Sequence, residues 1–340
     1  MMKMPKPVTT ITPANNWQSQ LAQAITDPVL LLNTLGIDPA LFPLTQAAHQ
    51  SFQVKVPHAY LAKIKPGDAN DPLLLQVMAS HLEMNNAAGY NNDPVGDLDA
   101  VRTPGLLHKY AGRVLLITTG ACAIHCRYCF RRHFPYEQQQ PARQHWQAAL
   151  HYIQSQPDIH EVILSGGDPL SLSDPKLAGL ISELDAIPHL KRLRIHSRIP
   201  VVLPDRVTPD LIHNLANSRL QTCMVIHANH VRELGQNEYR VLQQMKAAGI
   251  TLLNQSVLLK NINDNLGSLS DLSERLYECG VLPYYLHMLD PVAGAAHFEV
   301  NETQALILMK ALRARLPGYL MPRLVRETAG ENSKTPVSGL

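Results

Sequence analysis

A chain of 340 residues with 45% hydrophobic content can bury a large core, as one big domain or two ordinary ones, and is not a disordered polymer. Lysine and arginine total 30 against 28 acidic residues. The formal charge of +2 gives no field able to recruit nucleic acid, so a small-molecule partner is expected. Residues 1–13 lack the apolar core of a signal peptide and no apolar run approaches membrane-spanning length, so a cytoplasmic location without a membrane partner is expected.

From residue 17 to 90 the pattern is helical and interrupted by proline, with Asp27-Pro28, Asp38-Pro39 and Asp71-Pro72 each able to start a helix. Residues 1–100 are therefore expected to form a helical N-terminal extension. Beyond Val114, short β-rich runs alternate with amphipathic stretches. Strands are expected over 114–119, 161–165, 193–197, 222–227, 252–259 and 284–289, and helices over 146–153, 175–184, 209–215, 239–248, 269–277 and 303–315. Six such units predict an α/β fold with a parallel sheet, closed or partly closed as a (β/α)6 barrel over 101–320, and a C-terminal segment over 321–340. In such barrels chemistry sits where strands end. Cys122 follows the first expected strand, Gly166-Gly167-Asp168 the second, Ser197-Arg198 the third and His227 the fourth, while Asp290 closes the sixth.

Three of the five cysteines fall within eight residues, as Cys122-Ala-Ile-His-Cys126-Arg-Tyr-Cys129. In a reducing compartment such a group holds metal or does chemistry more readily than it forms disulfides. Cys223, in an apolar run, and Cys279, near a helix end, read as ordinary buried residues. Three thiolates can take three irons of a cubane and leave the fourth open, or they can hold zinc if His125 or His133 adds a fourth ligand. On this ground alone a non-catalytic iron-sulfur or zinc protein is an alternative. Ser165-Gly166-Gly167-Asp168 offers backbone that can approach a ligand closely, although the bare pattern reads as a turn. From the residues alone, Lys334 is a solvated tail residue and Asp290 a cap or loop acceptor.

The C-x3-C-x2-C spacing, with aromatic Tyr128 before the last cysteine, resembles that of radical S-adenosylmethionine (SAM) enzymes. The match is closer than a superfamily. The segment 110–132, Val162-Ile-Leu-Ser-Gly-Gly-Asp168, Ser197-Arg-Ile-Pro-Val-Val-Leu-Pro204, Asn254-Gln-Ser-Val-Leu-Leu259, Pro283-Tyr-Tyr285 and Lys334-Thr-Pro-Val337 are similar, in order, to the lysine 2,3-aminomutases, particularly their short bacterial form.

The resemblance implies a 4Fe-4S cluster on Cys122, Cys126 and Cys129, with SAM on the open iron and Ser165, Gly166, Gly167 and Asp168 at its amino group. It implies pyridoxal 5′-phosphate (PLP) as a Schiff base on Lys334, displaced by substrate to form an external aldimine. Tyr110 and Arg113 align with residues near PLP and its phosphate, with Lys109 where the relatives carry arginine. Arg198, His227 and Gln255 are expected to face the SAM and PLP site. Arg131 matches the residue that grips the substrate carboxylate, and Asp290 and Glu327 match two aspartates that hold the distal ammonium of lysine, Glu327 being one methylene longer. The segment 329–333 departs from the glycines found before the PLP lysine in the relatives. The implied reaction takes free (S)-α-lysine to (R)-β-lysine through a 5′-deoxyadenosyl radical, with an external one-electron reductant. The short tail after Lys334 resembles that of the bacterial form that supplies β-lysine for modification of elongation factor P. A glutamate aminomutase is the competing reading, and it would need a cation where this chain offers Asp290 and Glu327.

Overall fold

The computed structural model describes residues 16–42, 46–139 and 145–338. Residues 1–13, read above for a signal peptide, lie outside them. Each Asp-Pro pair does what its chemistry allows. The Asp27 and Asp71 carboxylates accept from backbone amides in the first turns of the helices Pro28–Thr34 and Pro72–Leu75, and Asp38 caps the 3-10 turn Pro39–Leu41, with proline filling the position that needs no amide donor. These short helices, with Trp17–Ala22, Gln46–Ser51, His58–Leu61 and the 3-10 turns His81–Met84 and Leu98–Ala100, are the helical elements of the extension among the described residues. Leu31, Leu32, Tyr60, Leu73 and Leu74 from this region are buried in the same apolar cluster as Val114, Leu116, Val162 and Leu193. The extension therefore shares a core with the rest of the chain.

Ten strands form one sheet in sequential order: β1 (Val101–Thr103), β2 (Leu106–Tyr110), β3 (Arg113–Thr119), β4 (Glu161–Gly166), β5 (Arg192–Ser197), β6 (Gln221–Ile226), β7 (Thr251–Val257), β8 (Leu282–His287), β9 (Arg323–Arg326) and β10 (Thr335–Pro336). The six expected strands are β3 to β8, all parallel, and β9 continues the parallel run. Antiparallel pairs add β1 and β2 at one end and β10 at the other. The edges β1 and β10 do not meet, so the sheet stays open as a partial barrel.

Helices His145–Gln154, Asp174–Asp185, Pro209–Ala216, Gln236–Ala247, Leu266–Glu278 and Glu302–Arg315 follow β3 to β8 in turn. In the second, Leu177, Leu180, Ile181 and Leu184 recur at the spacing of one helix face and are all buried. Among the described residues no helix is long and apolar enough to cross a membrane.

Successive strand side chains point to opposite faces of a sheet. Val114 and Leu116, Val162 and Leu164, and Leu193 and Ile195 lie in the apolar core. Their neighbours Arg113 and Leu115, Ile163 and Ser165, Arg194 and His196, together with Gln255, Tyr285, His287 and Arg323, line a cavity of about 1530 Å³. A single small-molecule site is typically about 300–1,000 Å³. This inner face has room for more than one ligand.

Candidate active site

The cysteine loop leaves β3 and is pinned to the extension at almost every position between the thiols. Ala123 and Ile124 are buried in the shared core. The His125 amide donates to the Lys55 carbonyl at 3.1 Å, its Nδ1 lies 2.8 Å from the Gln53 carbonyl, and its ring stacks on Phe52. Arg127 is wholly buried, donating from Nε and Nη2 to Glu83, and Arg132 shares the same carboxylate at 2.7 Å. Lys55 Nζ donates to the Cys122 carbonyl at 2.8 Å.

The thiols behave as neighbours. Burial and then the charge of Cys129 and Cys126 hold the Cys122 thiol well above its usual range, and burial with the charge of Cys126 pushes Cys129 up to about 11. Such a cost is what binding to iron relieves, since metal ligands are thiolates. Among the described residues no three His, Cys, Asp or Glu side chains close on one common ion position. A cubane asks for a different arrangement, because each thiolate takes its own iron. His133 Nε2 lies 3.1 Å from the Ala293 carbonyl. The residues fit a three-cysteine cluster.

The glycine segment lies directly against this loop. Gly167 N donates to the Thr119 carbonyl at 2.7 Å and Asp168 N to the Ala121 carbonyl at 2.8 Å. Gly166 has φ +121, and a Cβ there would lie 2.6 Å from the Thr119 carbonyl; at Gly167 it would strike the Ala121 carbonyl. The close approach that requires glycine is thus made to the cysteine loop itself. Asp168 accepts from Ser197 Oγ, Leu170 N, Arg198 N and Ile199 N, tying the turn after β4 to the end of β5. Ser165 Oγ accepts from Arg131 Nη1 at 3.1 Å. Arg198 reaches Cys126 Sγ at 2.6 Å and Tyr128 Oη at 2.5 Å, and its other amino group is held by Gln76 and Glu233.

At the other end of the cavity, pairing of β10 with β9 sets Thr335 opposite Arg326 and folds the tail back onto the sheet. Lys334 is consequently only 20% exposed, with Nζ 2.5 Å from Glu327 Oε2 and 5.9 Å from the Tyr285 ring centre. Glu327 Oε1 accepts from Lys109 Nζ at 3.1 Å, and Tyr110 also bonds to Glu327, which with burial raises its phenol. Despite burial, Lys334 and Lys109 hold the Glu327 carboxyl well below its usual range. Asp290 differs. Burial, then the charge of Glu327, pushes its carboxyl up to about 7 against the pull of Lys334, and its buried Oδ1 has no partner.

His227 Nε2 lies 2.9 Å from Gln255 Nε2, and burial drives the imidazole down to about 3, so it is neutral. Arg113 lies over the Tyr110 ring at 4.6 Å. All these residues line the one cavity that also holds the cysteines. An amine, tyrosine rings, neutral imidazoles and the guanidinium groups of Arg113 and Arg323 around it fit a flat aromatic cofactor bearing an anionic group. The buried, unpartnered Nε2 atoms of His196 and His287 add two polar contacts for such a ligand. Those two, with Arg194, Tyr285 and Asp97, escaped the sequence reading. For the four strand residues the signal was alternating polarity in runs that should read as continuously apolar if both faces packed on helices; Asp97, in a loop, gave no such signal.

The Radical SAM superfamily model matches residues 116–266. The chain is 48% identical to the L-lysine 2,3-aminomutase of Haemophilus influenzae, over 94% of this chain and 95% of that protein. It is 46% identical to the L-lysine 2,3-aminomutase of Escherichia coli, over 97% of each chain. The enzyme of the same name from Clostridium subterminale is 36% identical over 85% of this chain and 69% of its own length. Identity of this degree over almost the whole length, on a chain whose cavity joins a three-cysteine loop to a part-buried lysine, shows that it belongs to the L-lysine 2,3-aminomutase family of radical SAM enzymes.

Proposed function

We propose that this isomerase converts (S)-α-lysine to (R)-β-lysine in the cavity between the cysteine loop and Lys334. The observation that supports it best is the meeting, in one cavity, of Cys122, Cys126 and Cys129 with Lys334, Arg131, Asp290 and Glu327. The cofactors are a 4Fe-4S cluster, SAM and PLP. When bound, the cluster and SAM supply a carbon radical able to take hydrogen from an unactivated C–H bond, and PLP supplies a ring that spreads radical character.

The three cysteines would hold the cluster, and Ser165, Gly166 and Gly167 would meet the amino group of SAM. Asp168 acts on this turn from beneath, since its oxygens are engaged by protein donors. Lys334 would carry PLP, with Tyr110 and Arg113 nearby, and His227, Gln255 and Arg198 would face the two cofactors. Arg131, held by Asp97 at Nε and Ser165 at Nη1, presents a fixed guanidinium to the substrate carboxylate. The unpartnered oxygen of Asp290 and the carboxylate of Glu327 would receive the distal ammonium. That end rejects a second carboxylate, which argues for lysine over glutamate. The extension packs against the cysteine loop and would help to keep water from it.

We further propose that the β-lysine serves modification of elongation factor P, as resemblance to the short bacterial form implies, and that the enzyme works in the cytoplasm with an external one-electron reductant. The test of the reaction is anaerobic reconstitution with iron, sulfide, PLP, SAM, dithionite and labelled L-lysine, with β-lysine followed by mass spectrometry. Product should require both SAM and PLP and vanish in Lys334→Ala. SAM cleavage without rearrangement, or turnover of glutamate in place of lysine, would overturn the reading.

A further inference from the structure

Arg131 and Glu327, the residues proposed for opposite ends of the substrate, are joined by an unbroken line of alternating charge. Arg131 Nε donates to Asp97 Oδ2 at 2.6 Å, Lys109 Nζ lies 2.6 Å from Asp97 Oδ1, and the same Nζ donates to Glu327 Oε1 at 3.1 Å. Asp97 is 2% exposed and the Lys109 side chain 17%. Neither can serve a ligand directly. Both oxygens of Asp97 are engaged, and the three donor positions of Lys109 go to Asp97, Glu327 and the Val95 carbonyl at 2.8 Å.

We propose that Asp97 and Lys109 are specificity-determining positioning residues, a buried bridge that fixes the distance between the carboxylate reader Arg131 and the ammonium reader Glu327, and so selects substrate length. The inference rests on the assignment of Arg131 and Glu327 given above. The alternation makes the bridge stiff. Remove Asp97 and the Arg131 and Lys109 cations lose the carboxylate between them; remove Lys109 and Asp97 and Glu327 lose the cation they share, Asp97 keeping Arg131 and Glu327 keeping Lys334. Asp97 arrives from the loop before the 3-10 turn Leu98–Ala100, Lys109 from β2, Arg131 from the cysteine loop and Glu327 from the end of β9. The bridge therefore ties together four segments whose separation nothing local in the sequence sets.

The experiment is a double-mutant cycle on the PLP-loaded, cluster-reconstituted enzyme with Lys109→Arg, Glu327→Asp and the pair together. Dissociation constants for ornithine, lysine and homolysine are read by calorimetry without SAM, and kcat/KM with SAM. A methylene in a fitted site is worth roughly 10- to 200-fold. Each single variant is expected to lose at least about tenfold of lysine's advantage over its two homologues, and the double variant to recover it to within about threefold. A purely structural role would weaken all three substrates by one factor and leave their ratios unchanged, and that outcome, or a double variant that merely multiplies the singles, overturns the bridge. Asp97→Asn, with melting followed alongside, repeats the test if Lys109→Arg fails to fold. Should Glu327→Gln leave lysine affinity intact, the assignment of Glu327 has failed; should it abolish binding while the double variant recovers nothing, the bridge alone has failed.

Discussion

Replacing Asp290 by asparagine should make the protein more stable and a worse enzyme, and the stability gain should depend on pH. The carboxyl sits at about 7 in the folded chain against 3.8 when unperturbed. Its folded value is raised, so between pH 4 and 7 the folded state keeps a proton that the unfolded chain has released, and stability falls as pH rises through that window. Each pH unit costs about 1.4 kcal/mol. The ceiling at pH 8 is therefore roughly 4 kcal/mol, reduced toward about 2 by the side chain's partial exposure. For a chain of this size each kcal/mol moves Tm by about 2 °C. Asp290→Asn should melt roughly 4–8 °C above the parent at pH 8, and the gap should narrow as pH is lowered toward 6. Thermal melts across that range, under anaerobic conditions and without lysine, read it directly. Lysine should erase the gap by supplying the missing cation to the parent, and kcat/KM for lysine should fall about 30-fold or more in the variant. A gap that ignores pH, or lysine turnover that survives the substitution, would refute the placement of this buried, uncompensated carboxyl.

Two further substitutions probe the frame around the cysteines. Glu83→Gln leaves Arg127 and Arg132 buried without their shared counterion, at a cost of about 3–5 kcal/mol, and should lower Tm by about 5–10 °C. Gly167→Ala drives a methyl into the Ala121 carbonyl and should cut iron bound per chain after reconstitution to less than half. Gly179→Ala, with open space around its Cβ position, should leave iron content unchanged.

Much of the frame was legible because local chemistry dictates it. The six parallel strands differ from the expected spans by a residue or two at their ends, and the Asp-Pro starts are where the side chains put them. What escaped was set by partners distant in sequence. β1 and β2 are short and polar at one end, although Gly105 and Gly112, both at positive φ, bracket β2 and mark its turns. β10 is two residues long and exists through its pairing with β9, so Lys334 read in isolation is a tail residue and read beside the sheet is a part-buried one. Likewise, no local pattern announces that Asp97, before the sheet, will meet Arg131 and Lys109. The glycines were legible by their property, close backbone approach, but nothing local showed that the cysteine loop would be among the backbone they admit.

A spacing formula such as C-x3-C-x2-C treats its intervening residues as blanks. In this chain Ala123, Ile124, His125 and Arg127 are each committed to residues of the extension, by packing, by stacking or by hydrogen bonds. The motif is thus half of a two-part object, and its other half lies about 40 to 80 residues upstream. Grafted onto another barrel without Phe52, Gln53, Lys55 and Glu83, the three cysteines would keep their spacing in the sequence and lose their arrangement in space.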